Sequence, residues 1–154
     1  MKADSEYLHS EVIKPALTLL ADKRYTGAQK EFLNAHQHYR KGENEQAISE
    51  VLKAFESTMK SICAKRKWVH KDTDTAKQLL DVCVREGLIP AALQSEFSAL
   101  RSVLESGIPT IRNKQGGHGA GVAPRHVPSY LAAYALQLAA ASIVFLAAAE
   151  KDIP

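Results

Sequence analysis

Arg112, Asn113 and His118 are the residues of this chain best suited to chemistry on a phosphate. A guanidinium presents a planar fork of donors that fits two phosphate oxygens at once. An imidazole titrates near neutrality, so it can take a proton in one step and return it in another. The spacing is Arg-x5-His, enough for a turn that brings both groups to one spot. Lys114, Arg125 and His126 add positive or imidazole groups to the same stretch, residues 110–128. Gly116, Gly117, Gly119, Gly121, Pro124 and Pro128 lie among them. The stretch reads as one long irregular loop, and such loops in compact domains usually carry function. On residue types alone, a solvated loop with incidental charge explains it equally well.

Other chemistries fit less well. A phosphate-binding P-loop needs Lys-Ser or Lys-Thr after its glycines, and neither follows here. His118, Gly119, Ala120 and Gly121 resemble an oxyanion loop, but its Gly-x-Ser-x-Gly partner is missing. His36 and His38 stand two apart, so on a helix they point in different directions and do not form a metal pair. No metal site and no cofactor are expected. A second cationic run comprises Lys60, Lys65, Arg66, Lys67, Trp68, His70 and Lys71. It reads either as a solvated helix end or as a track for single-stranded RNA, with Trp68 available for base stacking.

Helices must position these groups, since no convincing strand pattern appears. Residues 6–20 carry Leu8, Val12, Ile13, Ala16, Leu17 and Leu20 at helical spacing. Pro15 should kink that helix or start a second one. Tyr25, Thr26 and Gly27 read as a turn. A helix over residues 26–41 follows, stopped by Gly42. The clearest pattern spans residues 43–65, where Ile48, Val51, Leu52, Phe55, Met59 and Ile62 recur every three or four residues. Asn44 is placed to cap its start. Residues 75–86 form the next helix, ended by Gly87. Pro90 opens another, with Leu93, Phe97, Leu100, Val103 and Leu104 on one face, predicted to stop near Gly107 and Pro109. A last helix begins at Ser129.

With 154 residues the chain is the size of one domain, residues 1–154, and can bury a core without staples. Its 24% charged and 45% hydrophobic residues argue against disorder. The net charge of +3 permits a phosphate-binding patch without requiring one. Cys63 and Cys83 lie in apolar helical patterns and read as small buried hydrophobes. The first residues lack the apolar core of a signal peptide, so a cytoplasmic setting is the expectation. Residues 130–149 hold no charge and are nearly long enough to span a membrane. Their alanine content, with Gln137 and Ser142, favours a helix buried in the middle of a bundle, and no membrane partner is expected. Tyr39, Gly42, Ala47, Ile48, Lys53 and Ala54 look like one tetratricopeptide unit, but stable arrays need about three copies and no second is found.

The run Ser106, Gly107, Ile108, Pro109, Thr110, Ile111, Arg112, Asn113, Lys114, Gln115, Gly116, Gly117, His118 and Gly119 resembles the signature of the abortive-infection C-terminal domain family, a branch of the HEPN superfamily. Phe55, Glu56, Ser57, Thr58, Met59 and Lys60 look like the helix that precedes the site in that family, and the alanine-rich last helix is also similar. The resemblance covers roughly residues 35–149. It implies an all-α, HEPN-like bundle of about five to seven helices with a Gly-rich loop before the last. It also implies a homodimer in which two Arg-His loops meet, and metal-independent RNA cleavage in antiviral defence. By the same resemblance Arg112, Asn113 and His118 are catalytic, with Glu56, Lys60 and Lys114 in support. Lys65, Arg66, Lys67, Trp68, Arg125 and His126 would then bind RNA. Glu56 has two readings, a surface ion pair with Lys60 or an anchor for Arg112. A regulatory protein or antitoxin is a further partner that the resemblance implies. The other class of reading is a non-catalytic HEPN module that binds RNA, nucleotide or protein.

Overall fold

The computed structural model describes residues 13–116 and 127–154, with side chains described for residues 13–105 and 127–154. Within them the apolar spacing resolves into six α-helices: α1 (Lys14–Leu20), α2 (Thr26–Arg40), α3 (Asn44–Arg66), α4 (Ala76–Arg85), α5 (Gln94–Gly116) and α6 (Ser129–Asp152). Short 3-10 turns at Lys23–Tyr25 and Ala91–Leu93 lead into α2 and α5. No strand occurs among the described residues. The protein is all-α, as its periodicity predicts.

The strongest amphipathic pattern in the sequence becomes the centre of the bundle. Ile48, Val51, Phe55, Met59 and Ile62 of α3 are all buried, and α3 packs against α2, α4, α5 and α6. Burying one such side chain contributes ~1.5–3 kcal/mol. The hydroxyl of buried Thr58 donates to the Ala54 carbonyl at 2.7 Å, which removes the cost of an unpaired polar group. The alanine-rich α6 lies chiefly on α3, where small residues permit close approach; Ala132, Ala135, Leu136, Ala139, Ala140, Ile143, Leu146 and Ala147 are buried. By length and composition α6 could also cross a membrane. Its opposite side carries the exposed Tyr130 and Tyr134.

Helix ends follow backbone conformation. Gly42 and Gly87 adopt φ of +77° and +81°, the left-handed region that ends a helix cheaply when the residue has no Cβ. Pro15 sits in the first turn of α1, where its missing N–H costs little. The expected helix over residues 6–12 lies outside the described residues. Thr75 and Gln78 form a capping box at α4, with the Gln78 side chain accepting from the Thr75 amide at 2.7 Å.

Three expectations need correction. The turn expected at residues 25–27 ends two residues earlier, because Thr26 and Gly27 already belong to the first turn of α2. Asn44 does not cap α3; Glu43 occupies that position, and Asn44 is the first helical residue. Its buried amide instead donates to the Val127 carbonyl at 2.7 Å and to the Ser129 hydroxyl at 3.3 Å. It thereby ties the start of α3 to the start of α6. The largest difference is α5, which runs on to Gly116 instead of stopping near Gly107 and Pro109. A proline inside a helix removes one hydrogen bond and costs ~3 kcal/mol. Each further residue adds a bond once a helix has nucleated, so a strong preceding helix can carry through such a breaker. The irregular stretch therefore does not begin at Thr110.

The Asn44 contact gives a direct test. Asn44→Asp keeps the shape but replaces the donor with an acceptor facing the Val127 carbonyl. Thermal unfolding should show a loss of about 2 kcal/mol, whereas an unchanged melt would mean the contact contributes nothing.

Candidate functional site

The extension of α5 changes what positions the expected catalytic residues. Arg112, Asn113 and Lys114 belong to the last turns of a 23-residue helix, not to a loop. Their side chains lie outside the described set, as do His118, Arg125 and His126 altogether. Arg112 follows Glu105 by seven residues on α5, which is two turns and about 10 Å along the axis.

Glu105 belongs to a polar group assembled from three helices. The Glu105 carboxylate accepts from Arg101 one turn earlier at 2.6 Å. Glu56 of α3 lies within electrostatic reach of Lys60 on its own helix, Glu105 of α5 and Glu31 of α2. Ser57 donates to Glu31 at 2.5 Å. The Glu56 carboxylate also accepts from the Ala76 amide at the start of α4, where the helix dipole favours a negative group. Burial nonetheless dominates and pushes the Glu56 carboxyl up, with the neighbouring carboxylates adding to the rise and Lys60 opposing it. Glu56 is therefore half-buried among other helices rather than a bare surface partner of Lys60.

The cationic run divides into two parts. Lys65 and Arg66 turn toward α6. The Lys65 ammonium and the Arg66 Nε both reach Glu150 Oε1, the latter at 3.0 Å. The Arg66 guanidinium also donates to the carbonyls of Glu150, Ile153 and Pro154 at 2.6, 2.9 and 2.9 Å. Arg66 thus fastens α3 to the end of α6, and its donor fork is occupied inside the fold. Burial alone would push the Glu150 carboxyl up; Lys65 and then Arg66 outweigh it and hold the carboxyl below its ordinary value.

The other part is the turn that follows. Lys67 adopts φ +58°, a left-handed conformation in which glycine is far commoner. The Trp68 amide then donates to the Cys63 carbonyl at 2.9 Å and closes the helix. Lys67 and Lys71 are exposed. Trp68 is half-buried and packs against the core, so only part of its face is open for stacking. His70 Nδ1 donates to the Trp68 carbonyl at 2.9 Å, and Arg85 donates to the Val69 carbonyl at 3.4 Å.

Sequence reasoning missed Glu150 and Glu105. The signal for Glu150 was present, as the first charge after an uncharged helix; at a helix end it looked like a surface residue. Glu105 gave no signal, because its company comes from α3 and α2.

A family model described as Abi_C, HEPN-like domain, matches residues 26–150. No curated relative and no solved structure matches the chain.

Proposed function

The chain belongs to the Abi_C family of HEPN-like domains, and from that premise we propose that it is a metal-independent endoribonuclease, a toxin-like effector of abortive-infection, anti-phage defence. The observation that supports this reading best is the family match spanning Arg112 to His118, joined to a long helix that carries Arg112 and Asn113 to its end. A helix holds a group more steadily than a loop, and preorganised charge is what transition-state stabilisation requires.

The chemistry follows from the residue types. The 2′-hydroxyl of the RNA attacks the adjacent phosphorus and the 5′-oxygen of the next nucleotide leaves. His118 of one copy takes the 2′ proton, and the equivalent histidine of a second copy protonates the leaving oxygen. Arg112 neutralises charge building on the phosphoryl oxygens. Asn113 and Lys114 orient the phosphate. The enzyme acts in the cytoplasm as a homodimer, held inactive by a regulatory protein or antitoxin until infection. Lys67 and Lys71, with Arg125 and His126, guide the RNA; Lys65 contributes from the edge of the clamp. Arg66 has no part in this track.

Incubation with mixed RNA in EDTA tests the reaction class. Products should end in 2′,3′-cyclic phosphate and begin with 5′-hydroxyl. Products bearing 5′-phosphate, or activity lost on chelation, would contradict the mechanism.

Glu56 acts here as the anchor of the helix end that carries Arg112. Because its folded carboxyl titrates above the unfolded value, it favours folding most at low pH, and that contribution is lost as pH rises through the folded value. Glu56→Gln should therefore leave the neutral-pH melting temperature unchanged or higher. Single-turnover cleavage should fall about tenfold or more, the scale of one charge-assisted hydrogen bond. A lower melting temperature with full activity would make Glu56 structural only.

A further inference from the structure

Tyr130 is 79% exposed and Tyr134 52%. Among the described residues every other aromatic side chain is buried or half-buried. The two tyrosines stand one turn apart on one face of α6, about 6 Å along its axis. That helix carries no charged residue before Glu150, so the face is aromatic and uncharged. Asn44 fixes where the face lies. Its amide donates to the Val127 carbonyl at 2.7 Å and to the Ser129 hydroxyl at 3.3 Å, which sets the turn between α2 and α3 beside the residue that precedes Tyr130. Arg40 and Lys41 lead into that turn, and both are exposed. Glu43 of the same turn accepts from His38 Nδ1 at 3.2 Å. Two cations therefore stand at the end of the bundle where the tyrosines are. The helix that carries Arg112 returns toward this end. Its Phe97 packs on Phe145 near the other end of α6, with ring centroids 5.3 Å apart. Glu105, about two turns further along, lies within electrostatic reach of Glu56 in the middle of α3. Counted from the ring contact, Arg112 is fifteen residues along α5 and Tyr130 fifteen residues back along α6, about 22 Å in each case.

We propose that Tyr130 and Tyr134 form a stacking platform for the bases of single-stranded RNA, with Arg40 and Lys41 on its phosphates, and that this platform restricts the nuclease to unpaired substrate. The proposal rests on the RNA-cleaving reading of Arg112 and His118. A tyrosine ring has a flat apolar face and a polar edge that stays wet. Every base has a face that can stack on such a ring, whatever the sequence. Bases in a duplex already stack on their neighbours, so only unpaired ones are open to it. Ser129 and Gln137 bound the pair along α6, and the cations approach from the neighbouring turn. Aromatic rings inside a cationic border are the layout of a strand-binding surface. The two parts have different tasks. Arg40 and Lys41 attract any phosphate backbone, paired or not. Tyr130 and Tyr134 discriminate, because they hold only a strand whose bases are free.

The test measures binding apart from cleavage. The full chain is titrated into a fluorescent single-stranded oligoribonucleotide methylated at every 2′-hydroxyl, and anisotropy gives the affinity. Tyr130→Ala combined with Tyr134→Ala should weaken binding about fivefold or more, the scale of one lost stacking contact. The slope of affinity against salt should stay the same, because no phosphate contact is lost. Phenylalanine at both positions should restore the affinity. Arg40→Ala combined with Lys41→Ala should instead flatten the salt slope. An abasic strand of the same length should bind the wild type and the tyrosine variant alike, and so should a duplex. Both tyrosines are exposed, so the variant should melt with the wild type. Wild-type affinity in the tyrosine variant, or an equal loss on the abasic strand, would overturn the proposal. So would a dimer that becomes a monomer on losing the tyrosines, since the face would then join two copies of the chain. The cleavage reading fails separately. A wild type that binds through the tyrosines and never cuts keeps the platform and loses the nuclease. A chain that binds and cuts as well without them keeps the nuclease and loses the platform.

Discussion

His118→Ala should lower the rate of RNA cleavage by about 10²–10⁴-fold, the usual contribution of a positioned proton-transfer group. Affinity for RNA should hardly change, because a neutral imidazole adds little to phosphate attraction. Arg112→Ala should impair both turnover and binding, since its guanidinium contacts the phosphate before and during the reaction. Lys67→Ala should weaken binding and flatten its salt dependence while turnover persists, as befits the loss of at most one phosphate contact. These contrasts separate chemistry from attraction. Single-turnover rates and filter-binding titrations on the same preparations measure both. Wild-type cleavage by His118→Ala would remove the proposed acid–base group.

Arg66→Ala should be the most destabilising single change at the ion pairs. Glu150 is almost wholly buried, with its side chain 1% exposed, and Arg66 is its better-buried partner at 19%. Removing one partner of a buried pair leaves an uncompensated charge and costs ~3–5 kcal/mol. Here three hydrogen bonds to the end of α6 disappear with it. Lys65 remains beside Glu150, which places the expected loss near the lower end, ~3 kcal/mol. For a domain of this size that is roughly 6–12 °C in melting temperature. Replacing both partners, Arg66→Met with Glu150→Leu, should recover much of the loss, because a buried pair is often exchangeable for apolar packing. The folded Glu150 carboxyl titrates below its unfolded value. The folded state therefore binds fewer protons, so the clamp contributes fully above the unfolded carboxylate range and fades as acid drives pH through the folded value. Arg66→Ala should accordingly flatten the acid limb of the stability profile. A single variant no less stable than the wild type at pH 7 would make the clamp incidental.

The helices were legible because core-facing residues repeat at the helical period. Ile48, Val51, Phe55, Met59 and Ile62 announce α3 without reference to any other segment. Helix ends were legible where one residue decides them, as at Gly42 and Gly87. The end of α5 was not, because Gly107 and Pro109 lower local helix propensity without fixing where the hydrogen-bond ladder stops. Asn44 and Arg66 show a second limit. Each has a residue type that suits an ordinary local role, a cap and a solvated cation. Their partners, Val127 and Glu150, lie more than eighty residues away and carry no mark of the pairing. Of the site, the Arg112 to His118 pattern was visible as residue types at a spacing. The carboxylates of Glu31 and Glu105 around Glu56 were not, since three helices bring them together.

The most direct measurement compares two RNAs of one sequence, the second methylated at every 2′-hydroxyl. Each is incubated with metal-free wild-type protein and resolved on a denaturing gel. If the chain cleaves RNA through the 2′-oxygen, the unmodified strand should be cut and the methylated strand should survive. Equal cutting of both strands, or an unmodified strand that is bound and left whole, would contradict the account.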